Sequence, residues 1–384
     1  MKLPSGAATF VGNMFIKLDK NKAKNIWIHA QKLDRQKPFG AGAAAVAKAV
    51  LHLGYVQIDT ISVIERCHHH ILYNRIPTYS RADLHQAQAV KKSVFEYWTH
   101  ALAYVGTADF KYFVKHMNTV NTAPGSWYSS VTDADYKKVK MLLKNGPISI
   151  RDIKDDVLVE KEHDWASAKP SKKALQLGFK RGDFVIAERV GMLKKYELAE
   201  RHFGWKQKPK PVSDSEYCGY ILDRALRTQG IVSLDSVCYL DNRYKKEILN
   251  LMEKQLVEVR HPNDLKVRLW TKPETLEAKI PESDLTHILS PFDPLIIQRK
   301  KLRIFFEHEH LFEAYIPKIK RKYGYFTLPV LSGNNIIALL DLKTDRAEKK
   351  LLIQSWHWLG KHKSKQNKLF IENELARFEK FQLG

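Results

Sequence analysis

One order of helices and turns is written twice between residues 131 and 271, and this repeat constrains the fold more than any other feature of the chain. In the first copy, Thr132–Asn145 carries Val139, Leu142 and Leu143 at a helical period, with lysines between them. Asn145-Gly146-Pro147 stops that helix, since Gly suits the C-cap and Pro cannot continue it. A short second helix is expected over Ile148–Ile153 with Ser149 as its N-cap, and a third over Ser171–Gly178. Strands Phe184–Arg189 and Leu193–Leu198 come next, turned at Val190-Gly191-Met192. The second copy has helices at Glu216–Thr228, Ser233–Tyr239 and Asn242–Lys254, then strands Leu256–Val259 and Lys266–Trp270 around His261-Pro262-Asn263-Asp264. "LLKNGPISIRDI" lines up with "ALRTQGIVSLDSV". Three helices and a hairpin make a winged helix–turn–helix. A degenerate earlier copy runs through Lys22–Lys32, Gly42–Leu53 and "GYVQIDTISVIERCHHHILYNRI".

The last quarter changes character. Ile288–Pro294 reads as a Pro-punctuated linker, and Gln298–Phe306 as a helix. Strands are expected at Leu311–Ile316, Tyr323–Val330, Asn335–Asp341 and Lys350–Trp358, with a turn at Gly333-Asn334. A closing helix over Lys365–Phe381 places Leu369, Glu372, Leu375, Ala376 and Phe378 at helical spacing. The fold class expected is α+β: tandem winged helix–turn–helix modules followed by a small C-terminal β-rich domain. The divisions fall at 14–130, 131–212, 213–287 and 288–384.

Charge narrows the partner. The 64 Lys and Arg outnumber 42 Asp and Glu, a formal net charge of +22. Such an excess favours a polyanion, because each cation set on a phosphate releases condensed counterions. An anionic membrane is the competing partner, but no stretch approaches the ~20 apolar residues a span requires. Met1–Gly12 lacks the basic start, apolar centre and cleavage site of a secretory signal. Cys67, Cys218 and Cys238 are odd in number and widely spaced, which fits neither a disulfide framework nor a zinc or iron–sulfur site. The expectation is a monomeric, cytoplasmic, nucleoid-associated protein without a cofactor.

Gln57-Ile58-Asp59 follows an apolar helix and opens an extended run, so Gln57 and Asp59 are expected on one face with Ile58 anchored on the other. A carboxylate beside an amide suits hydrolysis of an activated bond: the acid accepts a proton or steadies a cationic sugar, and the amide holds water in line. The plainer reading of the tripeptide is a strand edge. His68-His69-His70 invites a metal, yet consecutive residues cannot all face one ion and no spaced partner stands nearby. His100, near Tyr97, Trp98 and Tyr104, reads equally as a lining residue of a base pocket or as a core histidine. "KIKRKYGYF" interleaves Lys318, Lys320, Arg321 and Lys322 with Tyr323 and Tyr325, as in a segment laid on DNA or a basic edge guarding a sheet. Lys343 and Arg346 in the same domain, Arg299 and Lys300 before it, and Lys172 and Lys173 on the third helix of the first copy complete the expected DNA-facing set.

Three blocks, "VQIDTISVIERCHHHILYNRI", "SPFDPLIIQRKKL" and "KRKYGYFTLPVL", together resemble the YcaQ/AlkZ family of DNA glycosylases, with "EYWTHALAYV" and "IAERVGMLKKYEL" in register. The resemblance implies a cradle for duplex DNA and excision of N7-alkylated purines, including unhooking of interstrand crosslinks. It implies a catalytic pair as well, Gln-x-Gln in one branch and Gln-x-Asp in the other, and Gln57 and Asp59 are similar to the second. Leu102 and Val105-Gly106 stand where the family commonly has Glu and Met-Pro. No lysine sits in a Schiff-base motif, so a monofunctional enzyme that leaves an abasic site is expected. A winged-helix transcription regulator and a protein-docking scaffold are the alternatives. The first would prefer one operator sequence, and the second would lack salt-sensitive DNA affinity.

Overall fold

The computed structural model describes residues 15–155, 158 and 169–384, and the Met1–Gly12 segment lies outside them. Two compact units divide the chain. Ser80–Tyr217 forms one, and the residues up to Tyr79 join Cys218–Gly384 in the other.

Both copies of the repeat form in the expected order. In the first, helix Asp133–Leu143 starts at a capping box in which Thr132 and Asp135 satisfy each other's backbone N–H groups. Ser149 acts as a cap, but the element it caps is only a single 3₁₀ turn, Ile150–Asp152. Helix Pro170–Lys180 then leads into the hairpin Phe184–Val190 and Leu193–Leu198. The second copy has helices Asp214–Gln229, Leu234–Val237 and Lys245–Gln255 and the hairpin Val257–His261 with Asp264–Thr271. The copies also agree in a detail that helical period does not encode. The segment before each short middle helix pairs antiparallel with the second hairpin strand, Ile148 with Tyr196 and Ile231 with Thr271. In the Ser80–Tyr217 unit, Val94–Trp98 and Leu102–Gly106 make a further hairpin that the sequence reading did not place. Beneath it, Arg189 grips the buried Glu96 carboxylate with two hydrogen bonds of 2.6 Å.

In the other unit, a two-residue strand, Ile16–Lys17, adds in parallel to Val257–His261. One core then joins the helix Lys20–Ala30 to the second repeat and the C-terminal part. Trp27 stands edge-on to Phe305 amid Leu269, Leu289, Leu295 and Leu331. Lys301 is buried there over Trp27, its ammonium donating to the carbonyls of Ile231 and Gln229 and to Gln229 Oε1.

The C-terminal sheet has four antiparallel strands in the order Thr286–Ile288, Thr327–Ser332, Asn335–Asp345, Lys350–Trp358. Two expectations fail here. Leu311–Ile316 is not a strand: Phe312 packs against Phe292 and Phe326, and the Glu313 carboxylate draws the chain into a loop. Ile288–Pro294 is not a linker either. Ile288 ends the first strand, and Asp293 meets Arg75 in an ion pair with neither side chain exposed. Helix Lys365–Leu383 closes the sheet, burying Ile371, Leu375 and Phe378 and leaving Leu369 half exposed.

Candidate active site

Helix Gly42–Leu53 is apolar along the face made by Ala45, Val46, Ala49, Val50 and Leu53, all buried. It ends at Gly54 with φ +76°, and the aliphatic part of Arg224 fills the space where a Cβ would stand. Only glycine meets both conditions without strain. The chain leaves this turn extended through Val56–Gln57. Val56, Gln57 and Ile58 are buried, and Asp59 is half-buried.

The Gln57 carbonyl accepts the Cys67 thiol at 3.1 Å. Burial, with the charge of Asp59 adding to it, pushes that thiol well above its ordinary range. Asp59 Oδ1 accepts the Ile61 N–H at 2.8 Å, which locks the carboxyl in a turn. Among the described residues, Asp59 Oδ2 has no hydrogen-bond partner and no cation pairs with the carboxylate. The site therefore offers a fixed anion with one open oxygen, two residues from a buried amide.

The segment beyond Asp59 is clamped by the C-terminal elements. Thr344 N–H donates to the Val63 carbonyl, and Glu65 N–H donates to Gln382 Oε1, which Thr344 Oγ1 also reaches. Arg346, expected on phosphate, donates instead to the carbonyls of Ser62 and Ile64. The three histidines are structural. His69 meets the Tyr79 hydroxyl, His68 is buried, and His70 bonds the Ile288 carbonyl, with burial pulling its imidazole down to about 4. Among the described residues, no cluster of His, Cys, Asp and Glu could hold a metal.

The remaining expected contacts separate. Lys320, Lys322 and Lys343 are exposed, and Lys300 is exposed in an ion pair with Asp235. Tyr323 and Tyr325 are half-buried, and Arg321 lies over the Tyr325 ring while its Nε donates to the Ile316 carbonyl. Arg299, expected to face DNA, donates to the carbonyls of Ile296 and Pro291, and burial draws it down to about 10. Lys173 is buried over Trp127 with its ammonium on Ser130 Oγ. Lys172 beside it stays partly open. His100 sits in the turn of the Val94–Gly106 hairpin, half-buried beside Thr99. Lys172, Lys173 and His100 belong to the Ser80–Tyr217 unit, and Gln57 and Asp59 to the other.

The sequence reading missed Arg75, whose guanidinium reaches Gln31 O, Gln31 Oε1, Ile71 O and both oxygens of Asp293. The signal was present: an Asp between prolines in an apolar run has no reason to be there unless buried and paired. Among the described residues, no helix is long and apolar enough to cross a membrane.

Comparison with known proteins gives the chain's fold and family. The Streptomyces sahachiroi DNA glycosylase AlkZ has a similar structure, with a TM-score of 0.61 at 15% identity over 96% of this chain and 98% of that one. The family described as DNA glycosylase AlkZ-like matches residues 50–381, a span holding Gln57, Asp59, the Arg75–Asp293 pair and the C-terminal clamp. With most of its length inside that match, the chain belongs to the AlkZ-like family of DNA glycosylases.

Proposed function

We propose that this DNA glycosylase hydrolyses the N-glycosidic bond of N7-alkylated purines in duplex DNA, interstrand crosslinks included, with Asp59 and Gln57 as its catalytic residues. Alkylation at N7 leaves the purine positively charged, so it departs with the bond's electron pair and little acid catalysis is required. What remains is to steady the oxocarbenium-like sugar and add water at C1′. The observation that carries this reading is the Asp59 carboxylate, held by Ile61 N–H through one oxygen and open at the other. An anion left without a cation partner is suited to a developing positive charge. Gln57 orients the water, and Asp59 takes its proton.

Two further features support the same reading. The repeat order, with a hairpin after each helix trio, suits a series of winged-helix modules that cradle duplex DNA, and the charge of +22 suits their phosphate contacts. Lys301, held well below its usual range by burial, is enclosed and committed to carbonyl acceptors. This lysine is thus no Schiff-base nucleophile, and we take the route to be hydrolysis with an abasic site as product.

The test is single-turnover release of free base from duplex DNA containing N7-methylguanine. Asp59→Asn keeps an acceptor for Ile61 N–H and removes the charge, so release is expected to fall about a hundredfold or more, and Gln57→Ala about tenfold. Undiminished release by both variants would refute the assignment. Release absent from the wild type across several alkyl adducts would favour a non-catalytic DNA-binding regulator.

A further inference from the structure

Ile319 is the most exposed large apolar side chain among the described residues, at 93%, and Tyr315 close by is 82% exposed. Tyr315 stands in the loop that replaces the expected Leu311–Ile316 strand, and Ile319 in the 3₁₀ turn Lys318–Lys320 that follows it. Lys318, Lys320 and Lys322 flank Ile319, all exposed, and among the described residues none of the three has an ion-pair partner. An isolated apolar side chain on a surface usually has no meaning. This one is set apart by how firmly its loop is built.

The Glu313 carboxylate, 2% exposed, accepts the backbone N–H groups of Lys322, Tyr323 and Gly324. Burial raises its carboxyl, and those three bonds outweigh burial and hold it below the usual range. Asp341 reaches in from the sheet to accept the N–H groups of Tyr325 and Phe326. It approaches Gly324, φ +153°, so closely that a Cβ there would meet its carboxyl oxygen at 2.2 Å. Two carboxylates, a glycine and the Arg321 bond to Ile316 thus brace both sides of a tip that ends in an isoleucine between lysines. Phe312 and Phe326 pack at the base of the loop, whereas its tip, residues 317–320, buries nothing.

We infer that Ile319 is a wedge that enters duplex DNA between base pairs, while Lys318, Lys320 and Lys322 hold the flanking phosphates. The inference rests on duplex DNA being the substrate. Apolar side chains inserted between base steps unstack them, and that succeeds only if the wedge does not fold back, hence the brace. Unstacking brings the damaged nucleotide's C1′ into reach without the protein reading sequence.

The experiment uses the full chain and duplexes carrying 2-aminopurine, either undamaged or beside N7-methylguanine. Wild type is expected to raise 2-aminopurine fluorescence on binding both. Ile319→Ala should bind undamaged duplex within about twofold of wild type, lose the fluorescence rise, and excise about tenfold more slowly from paired duplex. Opposite an abasic gap, where stacking is already broken, its rate should match wild type. Gly324→Ala, which leaves the tip intact and disturbs the brace, should share the fluorescence defect. The wedge is overturned if Ile319→Ala keeps the full rise, if its excision defect is equal on gapped and paired duplex, or if Ile319 is required for binding phosphatidylserine vesicles and not for unstacking. The undamaged duplex reads unstacking without any excision, so failure of the proposed chemistry and failure of the wedge give different results.

Discussion

Replacing Asp293 with Ala should destabilise the Gln57-bearing unit more than any surface change, and the contacts set the magnitude. Arg75 makes five hydrogen bonds in full burial, and two of them end on the Asp293 carboxylate. Removing that carboxylate leaves an uncompensated guanidinium inside the protein, which costs about 3–5 kcal/mol. Asp293 Oδ1 also accepts the Leu295 N–H, capping the helix Pro294–Ile297, and loss of a cap adds about 1 kcal/mol. The sum, about 4–6 kcal/mol, is a large share of the 5–15 kcal/mol that holds a typical domain together. With a urea slope of about 3 kcal/mol per M, the unfolding midpoint should drop by about 1.3–2 M. The double variant Arg75→Met with Asp293→Leu removes both charges together and should recover most of the loss. Urea titration by far-ultraviolet circular dichroism reads both. A shift under about 0.3 M for Asp293→Ala would show that water reaches the pair and that the core reasoning is wrong.

Acid should destabilise the same unit in a defined window. His70 and His287 are fully buried and held down to about 4, so only the unfolded chain binds protons there as pH falls from 6.5. Their contribution is complete above pH 6.5 and is lost as pH falls toward 4, roughly 3 kcal/mol for each; thermal melts across pH 7.5–4 that stay flat would contradict this. Arg346→Ala should slow base excision about tenfold with an unchanged salt slope of DNA binding, because it holds the Ser62 and Ile64 carbonyls. A reduced slope would make it a phosphate contact after all. Changing Lys318, Lys320 and Lys322 together to Gln should lower the slope of log K against log salt by about 2–3, measured by fluorescence anisotropy, and an unaltered slope would move the DNA elsewhere.

Local order was readable and distant pairing was not. Helices at 133–143 and 214–229 announced themselves through period, caps and Gly stops within a dozen residues. The hairpin at 184–198 did so through its Gly191 turn. The parallel pairing of Ile16 with Val259 depends on a partner strand far along the chain, and nothing in so short a strand names it. Leu311–Ile316 has the residues of a strand, yet Glu313 finds three better donors ten residues on and the strand never forms. At the candidate site, Gln57-Ile58-Asp59 reads by residue type as a strand edge, and it is the family resemblance that singles it out. Which oxygen of Asp59 stays open is settled by Ile61 N–H, a matter of geometry that composition does not carry. Residue type does not say what a cation meets: Arg299 and Lys173 direct their N–H groups at backbone carbonyls and a serine hydroxyl of their own chain.

The bond from Glu65 N–H to Gln382 joins residues separated by 317 positions. A growing chain on the ribosome presents Gln57 and Asp59 early, but the brace behind them is missing until Gln382 has been made. Synthesis through Gln382 therefore precedes any supported form of this segment, and a product cut short before that residue would carry Gln57 and Asp59 on an unsupported strand.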